Sequence, residues 1–426
     1  MITINVFWFR RDLRLEDNNA LQAALQAGLP VLPIFIFDVN ILNDLAKNDA
    51  RVQFIHQQLV EIDKTLKKAG SSLLCKKGEP LHIWKLLLSE YHINAVYTNE
   101  DYEPYAIRRD KLIKALLQEN NISFQLFKDQ VVFEKDEIVK DDGKPYTIYT
   151  PYKNKWLAKF SSQNLQDAQK PDVTKFYQFY ANFPSLSEIG FFPNAIQVKP
   201  INPDALLHYQ DKRDYPSMET SNTSVHLRFG TISIRQLVKS LQETDAVYLS
   251  ELIWREFFMQ ILFHFPYVVS GAFRKEYDHI LWLNQESDYE AWCKGKTGYP
   301  LVDAGMNELN ATGYMHNRVR MVTASFLCKH LLIDWRWGEA YFASKLLDYD
   351  LSANNGNWQW AAGTGCDAAP YFRIFNPGSQ QEKFDKNFEY IKKWNPDFQK
   401  TKPIIDHDFA RKRALATYKA GLAIKQ

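Results

Sequence analysis

Residues 348–377 read DYDLSANNGNWQWAAGTGCDAAPYFRIFNP. Trp358 and Trp360 stand two residues apart, and Asp348 and Asp350 precede the pair Asn354 and Asn355. Gly356, Gly363 and Gly365 are expected to break any long helix and to let backbone come close to a partner. Two readings are open. The stretch is an aromatic-rich loop and short helix packed in a core, or it lines a pocket for a large flat cofactor. In the second reading Asn354 hydrogen-bonds a heteroaromatic ring with Trp358 packed beside it. The spacing from Asn354 to Trp358 is i to i+4, so on a helical turn both face one side.

Outward from this stretch the chain is helical. Residues 248–265 (YLSELIWREFFMQILFHF), 315–335, 339–350 and the tail 405–424 carry apolar residues at helical spacing, with almost no strand signal. An α-helical bundle is expected there. The N-terminal part has the opposite rhythm. Apolar β-prone runs at 3–9, 31–37, 72–76, 94–98 and 123–127 alternate with amphipathic helices near 17–27, 50–69, 80–91 and 105–119. That alternation predicts βαβ units and a doubly wound parallel sheet covered on both faces, an α/β domain beside an all-α one. Ligands of such sheets bind beyond the carboxyl ends of the strands, here near Arg10, Arg11, Asp38 and residues 100–103. Residues 128–205 lack sustained periodicity and read as a long surface connector. The expected division is 1–130 (α/β), 131–205 (connector) and 206–426 (α-helical).

Composition excludes some chemistry. The net charge of +2 is small, and the two parts balance separately: residues 1–200 hold 25 Lys+Arg against 24 Asp+Glu, residues 201–426 hold 27 against 26. A nucleic-acid site must therefore be a local patch. Cys75, Cys293, Cys328 and Cys366 form no CxxC pair, so neither a zinc ribbon nor a redox dithiol is supported, and reduced thiols in the cytoplasm are the default reading. No metal is expected. No apolar run reaches the about 18 residues of a membrane span. The GxGxxA pattern at 363–368 follows a Trp-rich helix rather than a strand, so it is set aside as a dinucleotide site. The 11 tryptophans suggest stacking on flat ligands, although helical cores also absorb aromatics.

Three further constellations could carry chemistry. Thr220, Ser221, Asn222, Thr223 and Ser224 gather hydroxyls and an amide ahead of a helix, suited to capping or to binding phosphate. Glu251 and Trp254 share a helical face; the bland reading is a solvated carboxylate beside a half-buried indole. In HNRVRM (316–321), Arg318 and Met321 share a face while Arg320 points elsewhere, so two faces suggest two jobs.

These segments together resemble the DNA photolyase/cryptochrome family of blue-light flavoproteins. The match is nearly continuous from Gly295 to Asp385, and it is closest to class I cyclobutane pyrimidine dimer photolyases. TSNTSVHLRFG (220–230) is similar to the family form TSxLSPHLRFG, departing at Thr223 and Val225. The resemblance implies FAD held in the helical domain by Tyr209, Thr220, Ser221, Asn222, Thr223, Ser224, Asn317, Arg320, Asp348, Asp350 and Asn354, with Arg320 able to pair with Asp348. Asn354 would tune the reduced flavin. It implies a lesion pocket of Glu251, Trp254, Arg318, Met321 and Trp360, a basic DNA rim with Arg213 and Lys383, and a relay of Trp282, Trp335 and Trp358 that re-reduces the flavin. The partner is UV-damaged DNA, bound by a monomer, with the dimer flipped into the pocket at a cost of a few kcal/mol. Light-excited reduced FAD would split the dimer by electron donation. Glu251 would act as a protonated donor, its carboxyl raised by burial among aromatics. The (6-4) photolyases carry a His pair where this chain has His316-Asn317, which favours the cyclobutane dimer over the (6-4) photoproduct. The alternative is a cryptochrome that signals without repair; only about 40 residues follow Asp385. A second antenna chromophore in the α/β domain stays open. Tyr105 and Ala106 occupy the area of the family's folate-binding Glu, and PYVVSGAF (266–273) lacks the Cys-Lys of folate binders. Methenyltetrahydrofolate, a deazaflavin, a flavin or no second chromophore all remain.

Overall fold

A computed structural model describes residues 2–160, 165 and 167–424. Positions 161–164 and 166 of the expected connector lie outside the described residues, as do 1, 425 and 426. The chain divides into two compact units: Met1–Glu137, Ala158–Lys199 and Thr223–Gln242 form one, and Ile138–Leu157, Pro200–Asn222 and Glu243–Gln426 form the other. The stretch 131–205 is thus shared between both.

In the first unit, strands β1 (Thr3–Phe9), β2 (Val31–Asp38), β3 (Leu74–Gly78), β4 (His92–Asn99) and β5 (Ser123–Phe127) alternate with helices α1 (Asn19–Gln26), α2 (Ala50–Lys68), α3 (Pro80–Glu90) and α4 (Pro104–Glu119). All pairings are parallel, in the order β3-β2-β1-β4-β5. The inner strands β1 and β2 are buried along nearly their whole length on both faces because helices cover both, while the edge strands β3 and β5 are only partly buried. Ile4, Val6 and Trp8 of β1 pack with Ile34 of β2 against Trp84 of α3 and Ile113 of α4. Phe7 and Phe9 point the other way and are equally buried. The strand order reverses beside β1, which opens the crevice for a ligand between the carboxyl ends of β1 and β4.

The second unit is helical. It holds the first residues of α5 (Tyr149–Phe160), then α6 (Ala246–His264), α7 (Pro300–Thr312), α8 (Asn317–Ser325), α9 (Trp335–Lys345), α10 (Leu351–Ala362) and α11 (His407–Leu422). Its core centres on Trp292, Phe326, Leu327, Trp335, Phe342 and Trp358. Each such side chain, fully buried, contributes about 1.5–3 kcal/mol.

Two expectations fail here. Residues 315–335 do not form one helix. After Ser325 the chain takes a π-helical turn over Phe326–His330, Leu331 N–H donates to Phe326 O (3.1 Å), and Leu332 adopts φ 50°. The Asp334 carboxylate then caps α9 by accepting from Arg336 N–H (3.0 Å). Apolar periodicity survived this break because every residue from Phe326 to Ile333 is buried whichever way the backbone turns. Nor does Gly356 break a helix. It sits inside α10, where an added Cβ would lie 2.2 Å from Phe258 Cδ1, so the glycine serves close packing. Gly363, at φ 88°, does end α10.

Candidate functional site

Helix α10 is fixed at its start by Asp350, whose carboxylate accepts from Ser352 N–H (3.1 Å) and Ala353 N–H (3.2 Å). One turn on, buried Asn354 donates from Nδ2 to Glu339 Oε1 (2.8 Å) and Glu339 O (3.1 Å). Burial pushes the Glu339 carboxyl up, and the Asn354 bond offsets part of that rise. Nearby in sequence, Asp348 accepts from Arg320 Nη2 at 2.9 Å, and Arg320 Nε donates to Met315 O (2.8 Å). The second carboxylate oxygen of Asp348 is buried with no partner. A buried, unpartnered acceptor beside a guanidinium suits a polar ligand. These polar groups suit a flavin: Asn354, Arg320, Asp348 and Asp350 would hold FAD. Asn317 differs, being exposed at the first position of α8. His316 caps that helix, accepting at Nδ1 from Arg318 N–H (3.2 Å). Burial and the positive charges of Arg320 and Arg318 hold His316 at about 4, so it stays a neutral acceptor.

Arg318 and Arg320 turn to different partners. Arg318 Nη2 donates to Asp214 Oδ1 (2.6 Å), and its guanidinium lies 4.4 Å from the centre of the Phe384 ring. Glu251 meets Arg213 at 2.7 Å, their side chains 30 % and 24 % exposed. This corrects the expected setting of Glu251: instead of lying buried among aromatics, it is partly exposed and paired to Arg213. Burial lowers the Arg213 guanidinium, but the charges of Glu251 and Tyr209 outweigh that and hold it above its ordinary value. Arg213 also lies over the Tyr209 ring (5.5 Å), and Tyr209 packs edge-on against Tyr248 (5.1 Å). Trp254 is half-buried, with Tyr149 stacked flat against it at 3.6 Å and 9°. Met321 and Trp360 are half-buried, and Lys383 is exposed with its ammonium 5.0 Å from the Phe384 ring centre.

The 220–224 segment is held locally. Thr220 Oγ1 donates to Asn222 Oδ1 (3.2 Å), Asn222 Nδ2 donates to Pro200 O (3.0 Å), and the Ser221 and Tyr248 hydroxyls lie 3.5 Å apart. Thr223 and Ser224 open a short helix, Thr223–Phe229, and belong to the α/β unit.

Trp358 and Trp335 are both 2 % exposed within one aromatic cluster, and half-buried Trp282 packs against the edge of that cluster. Trp282 also meets Tyr418 edge-on at 5.8 Å. Sequence reasoning passed over Trp292, which is fully buried and 6.1 Å from the Trp358 ring, and Glu339, Asp214, Phe384 and Tyr149. Apart from Lys383 beside Phe384, their partners named here lie 15 to 105 positions away in sequence, beyond any local period.

In the α/β unit, the strand ends carry a second polar cluster. The guanidinium carbons of Arg10 and Arg109 lie 5.2 and 4.9 Å from the Trp8 ring. The Tyr105 hydroxyl donates to Asp38, and Asn40 Nδ2 donates to that hydroxyl (3.2 Å). Burial pushes the Asp38 carboxyl up, the Tyr105 bond opposing it.

Comparison with known proteins agrees with this architecture. Residues 5–172 match the DNA photolyase family, and residues 248–402 match the FAD binding domain of DNA photolyase. A deoxyribodipyrimidine photo-lyase of Synechococcus sp. is 36 % identical, over 93 % of this chain and 89 % of its own. A bacterial class III photolyase from Agrobacterium tumefaciens superposes with TM-score 0.87 at 33 % identity, over 99 % of this chain and 98 % of the other. An archaeal photolyase from Sulfolobus tokodaii with two FAD molecules gives 0.86 at 36 %, over 99 % and 100 %. With identity above 30 % along nearly the whole of both sequences, and the FAD-binding match spanning both residues of the Arg320–Asp348 pair, the chain belongs to the DNA photolyase family.

Proposed function

We propose that this protein repairs cyclobutane pyrimidine dimers in DNA under blue light, as a deoxyribodipyrimidine photo-lyase. The observation that carries the reading is on α6: a half-buried Trp254 one turn from a partly exposed, cation-paired Glu251. A flat indole and a hydrogen-bonding carboxylate on one face suit a flipped-out base pair held by stacking. Arg318, fixed between Asp214 and Phe384, and half-buried Met321 and Trp360 would complete that pocket. Reduced FAD, when bound, would supply the light-driven electron that opens the cyclobutane ring and would take it back. The protein's own work is to bind, orient and exclude water. Arg320, Asp348, Asp350 and Asn354 would hold the cofactor, with Tyr209, Thr220 and Ser221 as further contacts. Trp358, Trp335 and Trp282 would lead electrons inward to restore the reduced state. Glu251 would position a base carbonyl through the Arg213 pair. The strand-end cluster around Trp8 and Tyr105 would take a second, flavin-type chromophore. The reading includes a monomer in the cytoplasm; its four free cysteines suit a reducing compartment.

The test is light-dependent repair. Reduced protein is mixed with oligothymidine containing cyclobutane dimers, and ultraviolet absorbance is followed under blue light. Recovery of base absorbance only in the light is expected. No recovery by protein that binds and photoreduces FAD would refute the reading in favour of signalling or of the (6-4) photoproduct.

A further inference from the structure

Helix α6 does not position Trp254 alone. Tyr149, the first residue of α5, lies under the indole with ring centres 3.6 Å apart and planes within 9°. Tyr149 is anchored three ways. Its hydroxyl donates to Ser250 O (2.6 Å) and meets Ser250 Oγ at 2.7 Å. Its N–H donates to Asp367 Oδ2 (3.1 Å). Its ring packs edge-on against Phe257 (5.9 Å, 72°), which also meets Trp254 edge-on (5.6 Å, 80°). Ser250 and Trp254 are i and i+4 on α6, so one tyrosine spans a single helical turn, hydroxyl on one residue and ring on the other. Burial pushes the phenol upward, which keeps it a donor.

Tyr149 is 7 % exposed while Trp254 is half-buried. The tyrosine therefore covers one face of the indole, and Phe258 packs against the same ring (5.4 Å, 30°). A buried ring held at three points is a platform rather than a lid. From this geometry we infer that Tyr149 is a positioning residue for lesion recognition: it holds the Trp254 ring in one plane for a flipped pyrimidine dimer to stack upon. The inference rests on the reading that Trp254 meets the lesion. An indole left free to rotate about its side-chain bonds would lose orientation before each encounter, and part of its stacking energy would go to restoring it.

The experiment compares Tyr149→Leu, Tyr149→Phe and Trp254→Ala. Dissociation constants in the dark are measured for oligothymidine with and without one cyclobutane dimer, alongside flavin content, flavin photoreduction and thermal unfolding. Tyr149→Leu should cut discrimination for the damaged strand roughly tenfold, within the range set by loss of one base–aromatic stack, with flavin photoreduction unchanged. Tyr149→Phe keeps the ring and should keep discrimination. A purely structural role would lower unfolding temperature and flavin content yet leave folded, loaded protein fully discriminating; that result overturns the proposal. So does loss of discrimination in Tyr149→Phe as large as in Tyr149→Leu, which would credit the hydroxyl rather than the ring. If Tyr149→Leu does not accumulate, Tyr149→Met fills the space with a flexible chain and is read the same way. Trp254→Ala separates the two levels. If it discriminates normally, the lesion reading of Trp254 itself fails; if it loses discrimination while Tyr149→Leu does not, only the positioning role fails.

Discussion

Gly338→Ala tests whether Trp358 is held where the structure puts it. Gly338 lies on α9, and an added Cβ would stand 2.1 Å from Trp358 Cη2, 2.4 Å from Cζ3 and 2.5 Å from Leu327 Cδ2. Something must move. Leu327 is fully buried, and the Trp358 ring is hemmed in by Phe342 (4.9 Å, 79°) and Trp292 (6.1 Å, 73°). Alanine in a helix interior is favoured over glycine by about 1 kcal/mol. Overpacking a filled core costs about 1–3 kcal/mol. The expected net is destabilisation of up to about 2 kcal/mol, a fall in melting temperature of several degrees at about 2–4 °C per kcal/mol for a unit of this size. The more specific consequence is photochemical: with the indole displaced, flavin photoreduction by an external donor should slow, while binding of damaged DNA in the dark is kept. Thermal unfolding and flash-induced absorbance read the two effects. A variant as stable as the parent, with unchanged photoreduction, would refute the claim that this ring is locked between α9 and α10.

Three further outcomes follow from the same geometry. Asp348→Asn removes the charge that Arg320 meets at 2.9 Å; the loss of a charge-assisted, partly buried bond should cost about 1.5–3 kcal/mol and most of the flavin on gel filtration, and full flavin retention would argue against Asp348 as a cofactor residue. Stability should fall in acid through two histidines: burial, then the positive charge of His407 and Arg413, holds His330 at about 3, and burial with Arg320 and Arg318 holds His316 at about 4. Both lie below the unfolded value near 6.5, so the unfolded chain binds more protons as pH drops; their contribution is complete above about pH 6.5 and is lost toward pH 4, up to about 2 kcal/mol each by pH 5. Unfolding temperatures at pH 7 and pH 5 check this, and a His330→Asn variant with the parent's full pH dependence would count against it. Glu251→Ala should lower repair yield per photon more than affinity for damaged DNA, because the Arg213 it frees can still attract phosphate; equal losses in both would remove the role given to Glu251.

The fold was legible because its signals are local. Apolar runs alternating with helical segments placed all five strands within about two residues, most closely at β1 and β2, where both sheet faces are buried. Residues 315–335 misled for the same reason: where all positions are buried, periodicity does not register a change of helix type. The site divides along a similar line. Spacing alone separates Arg318 from Arg320, because a helix sends i and i+2 in different directions. What each arginine meets is set by residues elsewhere in the chain, Asp214 at the end of a short turn and Asp348 before α10, 104 and 28 positions away. Glu251 shows the cost of the missing partner most plainly. Its face and its neighbour Trp254 can be read from four letters, and an aromatic setting then argues for a raised, protonated carboxyl. The enclosed setting that argument needs is not formed: the carboxylate is 30 % exposed and a guanidinium from residue 213 stands 2.7 Å away. Directions are encoded nearby; partners and exposure are decided by whatever the rest of the fold brings into reach.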